Sequence, residues 1–187
     1  MLRIAAPNVA AVESLTGRLN HLRPALIGQL AHDLSSPDLR KAGASRLVAL
    51  LSRLDSADLA RDTFLRSRRE VMMQRVRGIK CDGDTTIYVS ELAIVCFTIL
   101  RHTSDWYMTA FKENKMASGM VLMAFRQPCL LSGFIVWAKE QIETFADMFR
   151  RQVYAPTIPE GVSDECMRVV ASHNRKVSLA QAQKLSS

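Results

Sequence analysis

Leu15, Leu19, Leu22, Leu26 and Leu30 recur at steps of three and four residues, so a helix aligns them along one face. This first helix is expected to run to about Leu34, with Pro24 inside it as a place to kink. Ser36-Pro37 reads as the start of a second helix, because a serine hydroxyl accepts a first-turn N–H and proline suits the position whose N–H has no partner. Leu39, Leu47, Leu50, Leu51 and Leu54 carry its apolar stripe. Asp55-Ser56-Ala57-Asp58 then ends that helix and caps a third, in which Leu59, Phe64, Leu65, Val71, Met72, Val76 and Ile79 fall on one side at about 100° per residue. Arg68 and Arg75, one heptad apart, project into the same arc. They must snorkel or meet carboxylates, since an unpaired buried charge is costly.

Cys81-Asp82-Gly83-Asp84 is a turn by composition. From Thr86 to about Lys112 the chain is apolar nearly all round at first and amphipathic later. Length and the lack of internal Gly or Pro favour helix over strand despite the β-branched run, and its first half is expected to be the most buried element. Phe134, Ala138, Ile142, Phe145, Phe149 and Val153 step along a further helix ending near Tyr154, which Pro156 and Pro159 stop. Ser163-Asp164-Glu165 starts a short amphipathic helix with Met167, Val170 and Ala171, and residues beyond His173 are expected to fray. The fold class is therefore all-α, with residues 1–177 as the helical region and 178–187 as a tail.

Composition supports this reading and narrows the chemistry. With 187 residues, 48% of them hydrophobic and only 8 Gly and 6 Pro, the chain can bury a sizeable core. Its four cysteines are far apart and form no Cys-x-x-Cys pair, which points to reduced thiols. No signal-peptide pattern opens the sequence, and the apolar run Leu92 to Leu100 is far short of the roughly 20 residues that span a bilayer. A cytosolic protein, or one lying on a membrane surface, is expected. Residues 1–80 hold 14 Lys+Arg against 7 Asp+Glu, whereas residues 81–187 hold 11 of each, so the whole net charge of +7 comes from the first part. Arg66, Arg69 and Arg77 form a solvent-side strip of the third helix and are the candidate contact with anionic lipid or a partner. The plainer reading is a solvated helix face.

The residues that would make an enzyme are not gathered in any motif. There is no phosphate-binding Gly-rich loop, no Gly-x-Ser-x-Gly and no His-Glu-x-x-His. His102, Thr103, Ser104 and Asp105 are adjacent on a helix and point to different faces, so they cannot relay a proton. His21, His32, His102 and His173 lack metal-ligand spacing. No catalytic, cofactor-binding or metal-binding residue is assigned, and a small-molecule substrate is not expected. The basic segment from Arg61 to Lys80 has no interleaved aromatics and no nucleic-acid-binding signature, so nucleic acid is not expected as a partner.

Several strings carry a further signal: Ala60-Arg61-Asp62-Thr63-Phe64-Leu65, Tyr88-Val89-Ser90-Glu91-Leu92-Ala93-Ile94-Val95, Phe111-Lys112-Glu113-Asn114, Trp137-Ala138-Lys139-Glu140-Gln141, and Phe145 through Tyr154. In this order they resemble the C-terminal helical region of fungal exocyst complex component eighty-four, component eight in animals, over roughly Gly17 to Tyr154. The resemblance implies an elongated rod of antiparallel helical bundles with a cullin-repeat-like tethering fold. It implies a structural subunit of the exocyst, which tethers secretory vesicles to the plasma membrane before fusion in exocytosis. Other exocyst subunits would be the partners and no cofactor would be needed. The location would be cytoplasmic, peripheral at secretory vesicles and at sites of polarised growth. The alternative is a peripheral membrane-binding helical module acting through its basic face. The coiled-coil segment and pleckstrin-homology-like domain found upstream in family members are not in this sequence.

One departure from the family pattern stands out. The pattern passes from Met116-Ala117-Ser118 almost directly to Phe134-x-x-Trp137, whereas residues 119–133 intervene here as an apolar insert broken by Pro128. Codons for Gly119-Met120-Val121 and for the closing Ser132-Gly133 accommodate splice-site-like ends, which motivates the hypothesis of a retained intron. Sequencing of the mature transcript is expected to yield messages lacking this segment, and its presence in every message would refute the hypothesis.

Overall fold

The computed structural model describes the backbone of residues 6–80, 83–117, 129–156, 158–159 and 161–185, with side chains for 12–80, 83–111, 132–156, 158–159 and 161–176. Among the described residues six helices follow in order: α1 (Ala6–Leu34), α2 (Lys41–Arg53), α3 (Ala57–Arg77), α4 (Thr85–Ala117), α5 (Cys129–Val153) and α6 (Val162–Leu185). No strand occurs among the described residues, and the Ile87 to Leu100 stretch is helical throughout. The all-α class expected from the apolar spacing is what the backbone adopts. The chain divides into two compact units, Met1–Phe64 and Leu65–Ser187.

Among the described residues of the first unit, Leu30 and Leu34 of α1, Ala44, Val48 and Leu51 of α2, and Ala60 and Phe64 of α3 form the apolar buried set, with Thr63 buried beside them in sequence. Only Leu51 of the stripe expected for α2 is fully buried, and Leu50 is exposed. The small Ala44 and the branched Val48 take the core positions instead. The start of α2 also differs from expectation. Ser36 and Pro37 lie in a turn, in which the Leu39 N–H donates to the Ser36 carbonyl at 3.3 Å, and the helix begins only at Lys41 with Arg40 as an uncapped flanking residue. Proline's fixed φ suits the second position of a β-turn as well as a helix's first residue, so the same dipeptide signals both.

The end of α2 is closed by a Schellman arrangement. The Ser56 N–H donates to the Leu51 carbonyl at 2.9 Å and the Asp55 N–H to the Ser52 carbonyl at 3.2 Å, with Asp55 in the left-handed region at φ 55°. Arg23 of α1 completes it. Its Nη2 donates to the Leu54 carbonyl at 2.6 Å, which also accepts from the Ser56 hydroxyl at 3.2 Å, and to Asp55 Oδ2 at 2.8 Å. Further along, α1 carries Gly17, Pro24 and Gly28, and relative to alanine a glycine costs about 1 kcal/mol and a proline about 3 in a helix interior. Residues 12–26 are exposed around the whole circumference of α1, including Val12, Leu15, Leu19, Leu22 and Leu26.

The second unit is built on α4. Asp84 caps it, its Oδ1 accepting from the N–H of Thr86 at 2.8 Å and of Ile87 at 3.1 Å, while Gly83 supplies the φ of 93° that the preceding turn requires. Val89, Leu92, Ala93, Cys96, Ile99, Thr103, Tyr107, Ala110 and Phe111 make one continuous buried stripe along it. Burial is thus not concentrated in the first half, as expected, and Ile87 and Ile94 face solvent. Met72 and Val76 of α3, Phe145, Phe149 and Val153 of α5, and Cys166 of α6 join the α4 residues in one core. Ring contacts set the direction of α5: Phe97 meets Phe145 at 5.2 Å and Tyr107 meets Phe134 at 5.1 Å, so α5 runs antiparallel to α4. By the same logic α6 runs parallel to α4, because Thr86 meets Cys166 and Ser90 meets His173.

Two boundaries depart from the sequence reading. Helix α5 begins at Cys129, so residues 129–133 of the insert are helical backbone, while 119–128, with Pro128, lie outside the described residues. Helix α6 continues to Leu185, through most of the stretch expected as a tail. Among its described side chains Cys166 is buried and Met167 is exposed.

The αL geometry of Asp55 generates a test. A β-branched side chain there meets the carbonyl that follows it, at about 1–2 kcal/mol, whereas glycine accepts the conformation freely. Asp55→Val is expected to lower the thermal stability by that amount and Asp55→Gly to stay within about 1 kcal/mol, since an exposed ion pair contributes little. Equal melting temperatures for the two variants would contradict the assignment.

Candidate functional site

The candidate contact residues Arg66, Arg69 and Arg77 all lie on α3 with exposed side chains. At 100° per residue Arg66 and Arg77 fall about 20° apart, with Arg69 about 60° to one side, so the three share a face. Glu70, also exposed, falls about 40° from Arg66 on that face and offsets part of its charge. Among the described residues no ion pair fixes the three arginines to a carboxylate. They form a sparse cationic strip with one acid in it.

Arg68 behaves differently. It is half-buried, its Nε donates to the Thr103 hydroxyl at 3.2 Å, and its guanidinium lies over the Trp106 ring at 4.7 Å from the centroid. A cation over an indole face is attracted by the ring quadrupole, so a neutral hydroxyl and a π-face replace the carboxylate that a buried charge ordinarily demands. Burial, and after it the Arg75 charge, lower the Arg68 pKa from its ordinary value. Arg75 itself is exposed rather than sharing the buried arc.

Around α4 the polar residues separate as their spacing dictates. Thr103 is buried, whereas His102 and Asp105 are exposed on other faces. His173 of α6 meets the Ser90 hydroxyl through Nε2 at 3.0 Å. Among the described residues no group of three or more His, Cys, Asp or Glu side chains is placed to hold a metal ion. A depression of about 350 Å³ beside the α3–α4 turn is lined by Gly78, Lys80, Asp84, Ile87 and Glu91, and its Asp84 is already engaged in capping α4. Among the described residues no helix is long and apolar enough to cross a membrane.

Among the described residues the arrangement offers exposed helix surface, and comparisons with known proteins bear on the family that the chain belongs to. The profile of the family described as exocyst component 84 C-terminal matches residues 3–181. The chain belongs to this family. It is 57% identical over 170 residues to exocyst complex component EXO84 of Cryptococcus neoformans var. neoformans serotype D, which covers 91% of this chain and 23% of that protein. Exocyst complex component 8 of Bos taurus is 30% identical over 156 residues, 83% of this chain and 20% of that protein. The Gallus gallus component 8 is 27% identical over 161 residues. The chain thus spans about a quarter or less of the length of these relatives. No solved structure matches it.

Several positions that shape these surfaces carried no sequence signal strong enough to single them out. Gln141 is fully buried between Trp137 and Phe145 on the core face of α5, its Nε2 donating to the Trp137 carbonyl at 3.3 Å, and a polar residue in an apolar stripe reads as an interruption. Arg23 as a closing group for α2 depends on a contact 32 residues away in sequence. Only the capping role of Asp84 was recoverable, from an acidic residue just ahead of a long apolar helix.

Thiol chemistry gives a direct check on the second unit. Burial pushes the Cys96 thiol up to about 12, and burial first also raises Cys166. A raised thiol pKa leaves the protonated, non-nucleophilic form dominant at neutral pH. Cys96 and Cys166 are therefore expected to resist alkylation at pH 8 in the folded chain and to react on denaturation, as read by peptide mass mapping. Rapid native labelling of Cys96 would contradict its placement.

Proposed function

We propose that this chain is the C-terminal helical part of a structural, non-enzymatic exocyst subunit, acting through helix faces in a complex that tethers secretory vesicles to the plasma membrane before fusion. The observation that supports it most is the 57% identity to exocyst complex component EXO84 across 91% of the chain. The physical character of the surface is in keeping: stability comes from helix-on-helix packing, and apolar side chains are left outward on α1 where a larger assembly can use them. On this reading other exocyst subunits are its partners, and it resides in the cytoplasm, peripheral to vesicles and to growth sites on the plasma membrane.

A second reading, a peripheral membrane module, rests on the exposed Arg66, Arg69 and Arg77, which no carboxylate engages among the described residues. Each basic residue near an anionic bilayer contributes about 1 kcal/mol, so three give a hundredfold or so in partitioning.

The two readings separate experimentally. Affinity purification of the tagged full-length protein from cells is expected to recover exocyst subunits, and their consistent absence would sink the first reading. Changing Arg66, Arg69 and Arg77 to Glu is expected, on the second reading, to lower sedimentation with phosphatidylserine vesicles by on the order of a hundredfold. Unchanged sedimentation removes that reading and leaves the first intact.

A further inference from the structure

The outward leucines of α1 are not scattered. Val12, Leu15, Leu19, Leu22 and Leu26 alternate steps of three and four, which is a heptad seam with Val12, Leu19 and Leu26 at a positions and Leu15 and Leu22 at d positions. All five are exposed, between 49% and 66%, and the seam runs for about 21 Å along the helix. In this register Gly17 and Pro24 both fall at f, the position that points away from a partner, and Gly28 falls at c. Adding a Cβ at Gly17 or Gly28 meets nothing within 4 Å. The residues least suited to a helix are thus kept off the seam, and the seam itself is uninterrupted.

The flanks say what fits. At the e and g positions beside the seam stand Thr16, Arg18, Arg23 and Ala25, so both charged flanking residues are cationic, and the one acid nearby, Glu13, is at b, off the seam. Arg23 already meets Asp55, and its two bonds use Nη2 alone. Arg18 is exposed and has no ion-pair partner among the described residues. A parallel second copy would set Arg18 at g against Arg23 at the e position five residues on, like charge against like. An antiparallel copy brings no carboxylate to either flank, because the seam's own e and g positions contain none.

We propose that this seam docks an amphipathic helix of another polypeptide, with apolar residues at its a and d positions and acidic residues at the flanking e and g positions. Two heptads of leucine-rich contact give the attraction, and carboxylates opposite Arg18 and Arg23 set the partner's identity and orientation. The inference goes beyond membership of an exocyst and does not depend on it, since it names a chemistry that any such helix meets.

The test uses the whole 187-residue chain, labelled with nitrogen-15, and two synthetic three-heptad peptides with Leu at every a and d position. One peptide has Glu at every e and g position and the other has Lys. The Glu peptide is expected to shift the amide resonances of residues 12–26 and to bind about tenfold more tightly than the Lys peptide, as two flanking contacts change from attraction to repulsion. The double variant Leu19→Glu, Leu22→Glu, which alters only exposed side chains, is expected to lose this binding. Arg18→Glu is expected to narrow the preference by about threefold or more while leaving the fold unchanged by circular dichroism. Equal affinity for the two peptides, binding of neither, or shifts confined to residues outside 12–26 would overturn the proposal. A dimer of the chain alone at sedimentation equilibrium, dissolved by the double variant, would overturn it too by making a second copy the occupant. None of these results bears on recovery of exocyst subunits from cells, so the two readings fail separately.

Discussion

The second unit depends on one constraint, that α4 keeps a single apolar line facing inward from Val89 to Phe111. Helices α3, α5 and α6 each bury their own residues against that line, so a residue added to or removed from it would rotate every later position by about 100° and turn the core outward. Fully burying an apolar side chain contributes about 1.5–3 kcal/mol, and Tyr107, Leu92 and Ile99, three of the larger fully buried side chains, lie on this line. Ala93 and Cys96 matter for the opposite reason. Their small side chains share one core with the large rings of Phe145 and Phe149. Of the polar members, Thr103 meets Arg68, and Gln141 donates to its own helix while its buried Oε1 has no partner among the described residues.

Much of this fold was legible from spacing alone, because apolar recurrence at three and four residues is a local property of a helix. All six helices were foreseen, as were the turn before α4 and the exposure of Arg66, Arg69 and Arg77. Phase was harder. In α2 the leucines outnumber the places that a core can hold, and the structure selects Ala44, Val48 and Leu51 over Leu47, Leu50 and Leu54. Periodicity gives the direction in which a side chain points but not whether another element reaches it, which is why Arg75 and Leu59 proved exposed. Ser36-Pro37 misled because a turn and a helix start share the same backbone preference. Nothing local could reveal contacts such as Arg23 with Asp55 or Ser90 with His173, since they join residues remote in sequence.

A subunit of an assembly is under different pressure from an enzyme. An active site collects strained or strongly perturbed groups in a concave pocket. Among the described residues the shifted groups are two buried thiols and one half-buried arginine, each shifted chiefly by burial. The informative irregularities lie instead on helix surfaces, in leucines that face outward on α1 and arginines that face outward on α3. Binding through such faces spreads affinity over many modest contacts and lets a chain change partners by exchanging a few surface residues without disturbing its interior.

The lodging of Arg68 against Thr103 and Trp106 has a consequence for the conditions under which α3 and α4 stay joined. Neither the hydroxyl nor the indole gains or loses a proton in the range a cell experiences, and the guanidinium stays charged there. A carboxylate in their place would have tied the junction to the ionisation of an acid. As built, the contact is indifferent to acidification of its surroundings.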